Sequence, residues 1–244
     1  MEFDNRREGI GERGQVGCCN RSPRLGSAQQ DLPEAAHMLG FIYENGLGRP
    51  KDMAAALYWY KKAASREYPE ALNSLGKIYE HGKGVPTDYS AAAGYYQRAA
   101  ERGSLNAMTN IGYLLENGYG CGRSCETAAR WYYAAAQEGD ARAQNYYGSC
   151  LYKGKGVKQD YGQAVEWYRK SSAQGNPSAH NNLGICYEEG LGVARDVGMA
   201  KTLYKMASDA RHPSGTNNLG YMYLTEHQYR EAFRIFHVAV SLNR

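Results

Sequence analysis

ALNSLGKIYEHGKG, residues 71–84, decides the fold. Ala71, Leu75 and Tyr79 stand at i, i+4 and i+8 with Ile78 beside them, which is the apolar stripe of a helix that buries one side. Gly82 and Gly84 follow where the stripe ends, and a glycine just past the last turn closes a helix in the left-handed conformation. The same string returns along the chain. Gly76 has counterparts at Gly40, Gly112, Gly148, Gly184 and Gly220, a step of 36 residues that never drifts. The loop glycines keep the step, as Gly46, Gly82, Gly118, Gly154 and Gly190 and as Gly48, Gly84, Gly120, Gly156 and Gly192.

Gly76 and its counterparts lie inside the first helix, where glycine costs about 1 kcal/mol relative to alanine. A cost repeated in register implies a neighbouring helix packed too close for a Cβ. Pro33, Pro69, Pro177 and Pro213 fall at the first turn, which has no use for their missing N–H. A second helix opens behind Asp52, Asp88, Ser124, Asp160 and Asp196, whose side chains can accept the orphan N–H groups of a first turn. Its core face reads Ala56, Trp59, Tyr60, Ala63, and returns as Ala92, Tyr95, Tyr96, Ala99 and onward. Helices are therefore expected at about 34–45 and 53–66 and at 36-residue steps from there. The fold class is all-α, a right-handed α-solenoid of helix-turn-helix repeats, each burying the face its neighbour cannot bury alone. It is expected over residues 31–244, behind a disordered tail of residues 1–30.

These residues carry a resemblance. The A-x-x-x-L-G-x-x-Y-x-x-G-x-G string followed by A-x-x-W/Y-Y-x-x-A-A is similar to the Sel-one-like repeat, a relative of the tetratricopeptide repeat with a longer inter-helix loop. Five copies are full. The sixth has Leu219, Gly220 and Tyr223 but no Gly-x-Gly loop, and its Gln228–Ala232 segment resembles the second helix of an ordinary tetratricopeptide repeat. The resemblance implies a non-catalytic scaffold or adaptor that binds other proteins. The family includes a lumenal adaptor of an ER-associated ubiquitin ligase and cytosolic scaffolds. The absence of a signal-like apolar segment makes the cytoplasm the expected compartment, and the ER lumen would require a leader ahead of Met1. A disulfide-rich secreted branch of the family ties each repeat with paired cysteines. No repeat here has such a pair.

Composition narrows the function further. With 29 basic and 25 acidic residues the charge is +4, too balanced to attract nucleic acid or an anionic membrane strongly. No run approaches the roughly 20 apolar residues of a membrane span. Zinc-protease, nucleophile-elbow and P-loop motifs are missing, and no cofactor is expected. Gly9-Ile10-Gly11-Glu12-Arg13-Gly14 fits a dinucleotide glycine pattern without the strand and helix that pattern needs. The six histidines share no metal-ligand spacing. Cys150 and Cys186 take a core position as small hydrophobes. Cys121 and Cys125 are read as free thiols or a loop disulfide.

What remains is a surface. Opposite the stripe of the first helix lie the positions three before and one after the core glycine. The first column reads His37, Asn73, Thr109, Asn145, Asn181, Asn217, and the second Phe41, Lys77, Tyr113, Ser149, Ile185, Tyr221. A peptide is expected to lie across His37, Phe41, Asn73, Lys77, Tyr113, Asn145, Asn181, Asn217 and Tyr221. In the related tetratricopeptide family such asparagines hold a peptide backbone. They could instead bond to one another between repeats. A border of Glu44, Glu80, Glu116 and Glu188 is expected to favour a Lys- or Arg-bearing segment and to oppose RNA, the alternative ligand of a helical repeat with this period. The uncapped ends of the stack leave self-association open.

Overall fold

The computed structural model describes residues 32–242. The expected tail and its glycine string lie outside them. The described residues form twelve helices and no strand. They pair as α1 (Pro33–Asn45) with α2 (Met53–Ala64), α3 (Pro69–His81) with α4 (Tyr89–Glu101), and α5 (Leu105–Asn117) with α6 (Cys125–Gln137). The series continues as α7 (Ala141–Lys153) with α8 (Tyr161–Ala173), α9 (Pro177–Glu189) with α10 (Val197–Asp209), and α11 (Pro213–Thr225) with α12 (Tyr229–Leu242). The second helices of the first five repeats stop one or two residues earlier than the spacing predicted, at Ala64, Glu101, Gln137, Ala173 and Asp209.

The punctuation works as the residue types dictate. Pro33, Pro69, Pro177 and Pro213 open their helices. Gly46, Gly82, Gly118, Gly154 and Gly190 end the first helices at φ between 65° and 73°. Asp52, Asp88, Ser124, Asp160 and Asp196 each accept from the backbone N–H three residues on. Each of these capping residues also sends its own N–H back to the first helix, as Asp52 to the Tyr43 carbonyl at 3.0 Å and Asp196 to that of Tyr187 at 2.9 Å. The loop is thus pinched shut and holds the two helices of a repeat antiparallel.

The mid-helix glycine has its reason in the aromatic ring opposite. A Cβ on Gly40, Gly76, Gly112, Gly148 or Gly184 would come within 2.5–2.9 Å of the ring of Tyr60, Tyr96, Tyr132, Tyr168 or Tyr204. Gly220 faces Phe236 in the same way, at 2.8 Å. Those five tyrosines are almost wholly buried among Ala56, Ala63 and their counterparts. The large ring fits because its neighbours are small. Trp59, Trp131 and Trp167 sit half-buried at the flank of that core rather than in it.

The second loop glycine sets the join between repeats. A Cβ on Gly120, Gly156 or Gly192 would lie 2.1–2.2 Å from main-chain atoms of Tyr89, Cys125 or Tyr161, the first residues of the preceding second helices. Gly48, in the first repeat, meets nothing within 4 Å. Successive first helices also pack on one another, α7 on α9 and α9 on α11, and no pair of second helices packs comparably. The first helices therefore line the inner, concave wall.

Candidate binding face

The floor of that wall is a hydrogen-bonded ladder. Asn110 donates its Nδ2 to Asn73 Oδ1 at 3.0 Å, Asn182 to Asn145 Oδ1 at 2.9 Å, and Asn218 to Asn181 Oδ1 at 2.9 Å. His37 Nε2 meets Ser74 Oγ at 3.2 Å in the equivalent place. Each rung joins the position three before the core glycine to the position two before it in the next repeat. Asn73, Asn145 and Asn181 are accordingly only 7%, 8% and 5% exposed. This corrects the expected open row of amides. Packing of one first helix on the next turns these side chains into the seam, and their carbonyl oxygens are already occupied. His37 is half-buried between the rings of Tyr60 and Tyr68, while Asn217, in the last repeat, is exposed.

The other expected column stays open. Phe41, Tyr113 and Tyr221 are 43%, 37% and 57% exposed, and Lys77 is exposed as well. Ser149 and Ile185 complete the column as half-buried residues. The face thus divides into a sealed amide floor and a row of free side chains standing along it.

The glutamate border is not a free acidic strip. The buried tyrosines of the second helices donate their hydroxyls to it: Tyr60 to Glu44 at 2.8 Å, Tyr96 to Glu80 at 2.5 Å, Tyr132 to Glu116 at 3.3 Å and Tyr204 to Glu188 at 2.6 Å. Burial and the adjoining carboxylates push those phenols well above their ordinary range. Lys83 also pairs with Glu44 at 3.0 Å, and Lys155 with Glu116 at 3.4 Å, each reaching from the loop of the next repeat. Burial pushes the Glu44 carboxyl up, but the bonds from Lys83 and Tyr60 outweigh it and leave Glu44 below its usual value. Glu44 and Glu116 are thus already paired with cations, while Glu80 and Glu188 keep their charge under a phenol hydrogen bond. In the fourth repeat Tyr152 replaces the glutamate and bonds to Glu189 instead, at 3.1 Å.

The ladder is interrupted once, between the third and fourth repeats. Thr109 replaces the acceptor asparagine and turns to the Leu105 carbonyl and Asp140. Tyr146 replaces the donor and stacks on Tyr132, centroids 4.9 Å apart and planes 11° apart. Arg142 takes over the free oxygen of Asn110, its Nη2 donating at 2.9 Å. A cleft of about 260 Å³ opens there, lined by Lys77, Glu80, His81, Tyr96, Asn110, Tyr113, Arg142 and Tyr146. Sequence reasoning singled out Lys77 and Tyr113 and missed Arg142 and Tyr146. The signal was present in the column two before the core glycine, which reads Met38, Ser74, Asn110, Tyr146, Asn182, Asn218.

The remaining candidate chemistry resolves into packing. Cys150 and Cys186 are buried, and burial pushes each thiol up to about 12. Cys121 and Cys125 are unbridged, with burial raising the Cys121 thiol. His180 is buried against Ser172 at 2.7 Å, and His212 caps α11 by accepting the Gly215 N–H at 3.2 Å. Among the described residues no three His, Cys, Asp or Glu side chains gather where a metal could sit, and no helix is long and apolar enough to cross a membrane.

Helix pairs stacked in register along a concave wall define a helical-repeat solenoid. The chain belongs to the Sel1 repeat family, whose model matches residues 33–68, 69–104, 105–140, 141–176, 177–212 and 213–243. The sixth, loopless copy is thus included. A Sel1 repeat protein from Oxalobacter formigenes is 29% identical with a TM-score of 0.82, over 87% of this chain and 86% of its own. The protective antigen c5321 of uropathogenic Escherichia coli, which has the same repeat fold, is 30% identical with a TM-score of 0.79 over 90% of this chain. The present chain spans about half, 48%, of that antigen's length. No curated protein matches. Sel1 repeat proteins are in general non-catalytic scaffolds for protein–protein interaction.

Proposed function

We propose that this protein is an adaptor that holds an extended or helical segment of a partner protein along the concave wall. The observation that carries this reading is the row of exposed Phe41, Lys77, Tyr113 and Tyr221 on a floor whose polar groups are bonded to one another. Large aromatic side chains left open on a rigid surface are what a binding site needs, because little entropy is lost when they are covered. The asparagines contribute by fixing the spacing of that row rather than by gripping the partner. The cytosol is the compartment this reading favours, since reduced thiols persist there and Cys121 and Cys125 stand unbridged.

The test is a double substitution, Tyr113→Ala with Tyr221→Ala, in full-length protein. Neither ring belongs to the buried core, so the melting temperature is expected to hold. Affinity for captured partners is expected to fall by about 1–2 kcal/mol per ring. Partners retained at full affinity would place the binding surface elsewhere.

A further inference from the structure

The repeat positions are kept so strictly that departures from them can be read as a set, and several converge on one place. Lys77 is the one charged side chain in its column. Arg142 is the one cation in a column otherwise made of Glu34, Glu70, Asn106, Ser178 and Ser214. Tyr146 is the one aromatic among the ladder donors. They come from the second and fourth repeats, yet they line the same cleft, with Tyr113 of the third repeat between them and 6.4 Å from Tyr146, centroid to centroid.

Fold stability does not require this arrangement. An Asn at 146 and another at 109 would continue the ladder, as they do on both sides. The substitutions instead open a cavity and bring cations to it. Among the described residues neither Lys77 nor Arg142 has a carboxylate within ion-pair distance, although Lys83 and Lys155 on the same wall do. Arg142 spends one donor on Asn110 and has others left. Glu80 is the opposing charge, and it already accepts the Tyr96 hydroxyl. Two cations against one carboxylate leave a single net positive charge, which suits a monoanion better than a phosphate dianion.

We propose that the cleft receives a carboxylate of the bound segment, either a Glu or Asp side chain or a chain terminus. Arg142 and Lys77 pair with it, and the Tyr113 and Tyr146 rings cover its hydrocarbon part. This rests on the concave-wall reading and adds to it the charge of the partner, which is acidic where the sequence suggested basic. The cavity of about 260 Å³ has room for a side chain, not for a helix, so the carboxylate acts as a pin that sets the register of the segment on the wall.

The experiment is an NMR titration of isotopically labelled full-length protein with short Gly/Ser peptides. One carries a central Glu pair and its control a Gln pair. Another pair has its sole carboxylate at the C-terminus, free in one and amidated in the other. The last carries phosphoserine. Shifts at Lys77, Asn110 and Arg142 are expected with a carboxylate peptide and not with its neutral control, and the two pairs tell side chain from terminus. Arg142→Gln should weaken binding about tenfold, the loss of a charge-assisted hydrogen bond. Raised salt should weaken it as well. Lys77→Glu, at an exposed position outside the ladder, should move the preference toward a Lys-bearing peptide without changing the melting temperature.

Equal binding of carboxylate and neutral peptides overturns the proposal, as do shifts confined to another part of the wall. Tighter binding of phosphoserine than of Glu overturns it too, in favour of a phosphate site. The two readings fail separately. Partner capture that depends on Tyr113 and Tyr221 but ignores Lys77→Glu and Arg142→Gln, with no carboxylate preference in the titration, leaves the wall and removes the cleft. A carboxylate peptide bound in the cleft while captured partners ignore both tyrosines removes the wall reading alone.

Discussion

Tyr132 shows how much one side chain carries in this fold. Its ring occupies the space that the missing Cβ of Gly112 leaves, its hydroxyl reaches Glu116, and its face takes the stacked ring of Tyr146. His212 is a second such residue and one that pH can address. Its Nδ1 accepts the Gly215 N–H, so the ring must be neutral at that atom to cap α11. Burial lowers its pKa below the ordinary 6.5, and does the same at His180. At His37 burial again prevails, over the opposing pull of Glu70 and Glu44. The unfolded chain therefore binds more protons than the folded one around that pH. Their contribution to stability is whole above about pH 7 and is lost as pH falls through about 6.5 toward the lowered folded values. Urea unfolding at about pH 7.5 and about pH 5.5 should show the lower midpoint at the acid value. His212→Asn, which can cap without titrating, should flatten part of that dependence. Midpoints that coincide at the two pH values would show that these histidines titrate alike in both states.

Between elements, the ladder governs how one first helix sits on the next. Replacing Asn145 and Asn181 together by Ala removes the acceptors of Asn182 and Asn218, and should cost about 1–2 kcal/mol for each partner left unpaired. The cost should appear as a lowered melting temperature, with affinity per folded molecule retained. A double mutant that melts normally but loses its partner would return these side chains to the binding surface. The helices and their caps were legible in the sequence because periodicity, Asp at the N-cap and Gly at the C-cap are local signals. The seam was not, because a rung joins residues 37 apart, as Asn73 and Asn110, and helix periodicity says only which face a residue is on. That face was open to two uses, and only the crossing of neighbouring first helices decided for the buried one. The phenol–carboxylate pairs escaped for the same reason: Glu44 looks like a surface charge until Tyr60 is seen beneath it.

Over the whole molecule, stability should be graded along the stack, because each repeat leans only on its neighbours. The last helix, α12, buries just Ala232 and Ala239, while Phe233 is 66% and Val240 61% exposed. Internal helices at the same register bury Val165 or Ala129, and Ala136 or Ala100, beneath the next repeat. Native-state hydrogen exchange should therefore find the least protected helical amides in Tyr229–Leu242 and the most protected in the central pairs. Uniform protection from α1 to α12 would mean that the chain opens only as one unit.

The contact of Gly120, Gly156 and Gly192 with main-chain atoms of the preceding repeat bears on how such a protein can change. Where the distance between modules is fixed by backbone touching backbone, the spacing at those joins does not depend on the exposed side chains of the inner row. The exposed residues of the inner row can then be exchanged without altering the curve on which they are mounted, as long as the amide seam beneath them is kept. Variation in what is recognised is uncoupled from variation in shape, so a new specificity can arise from one or two substitutions in a single repeat.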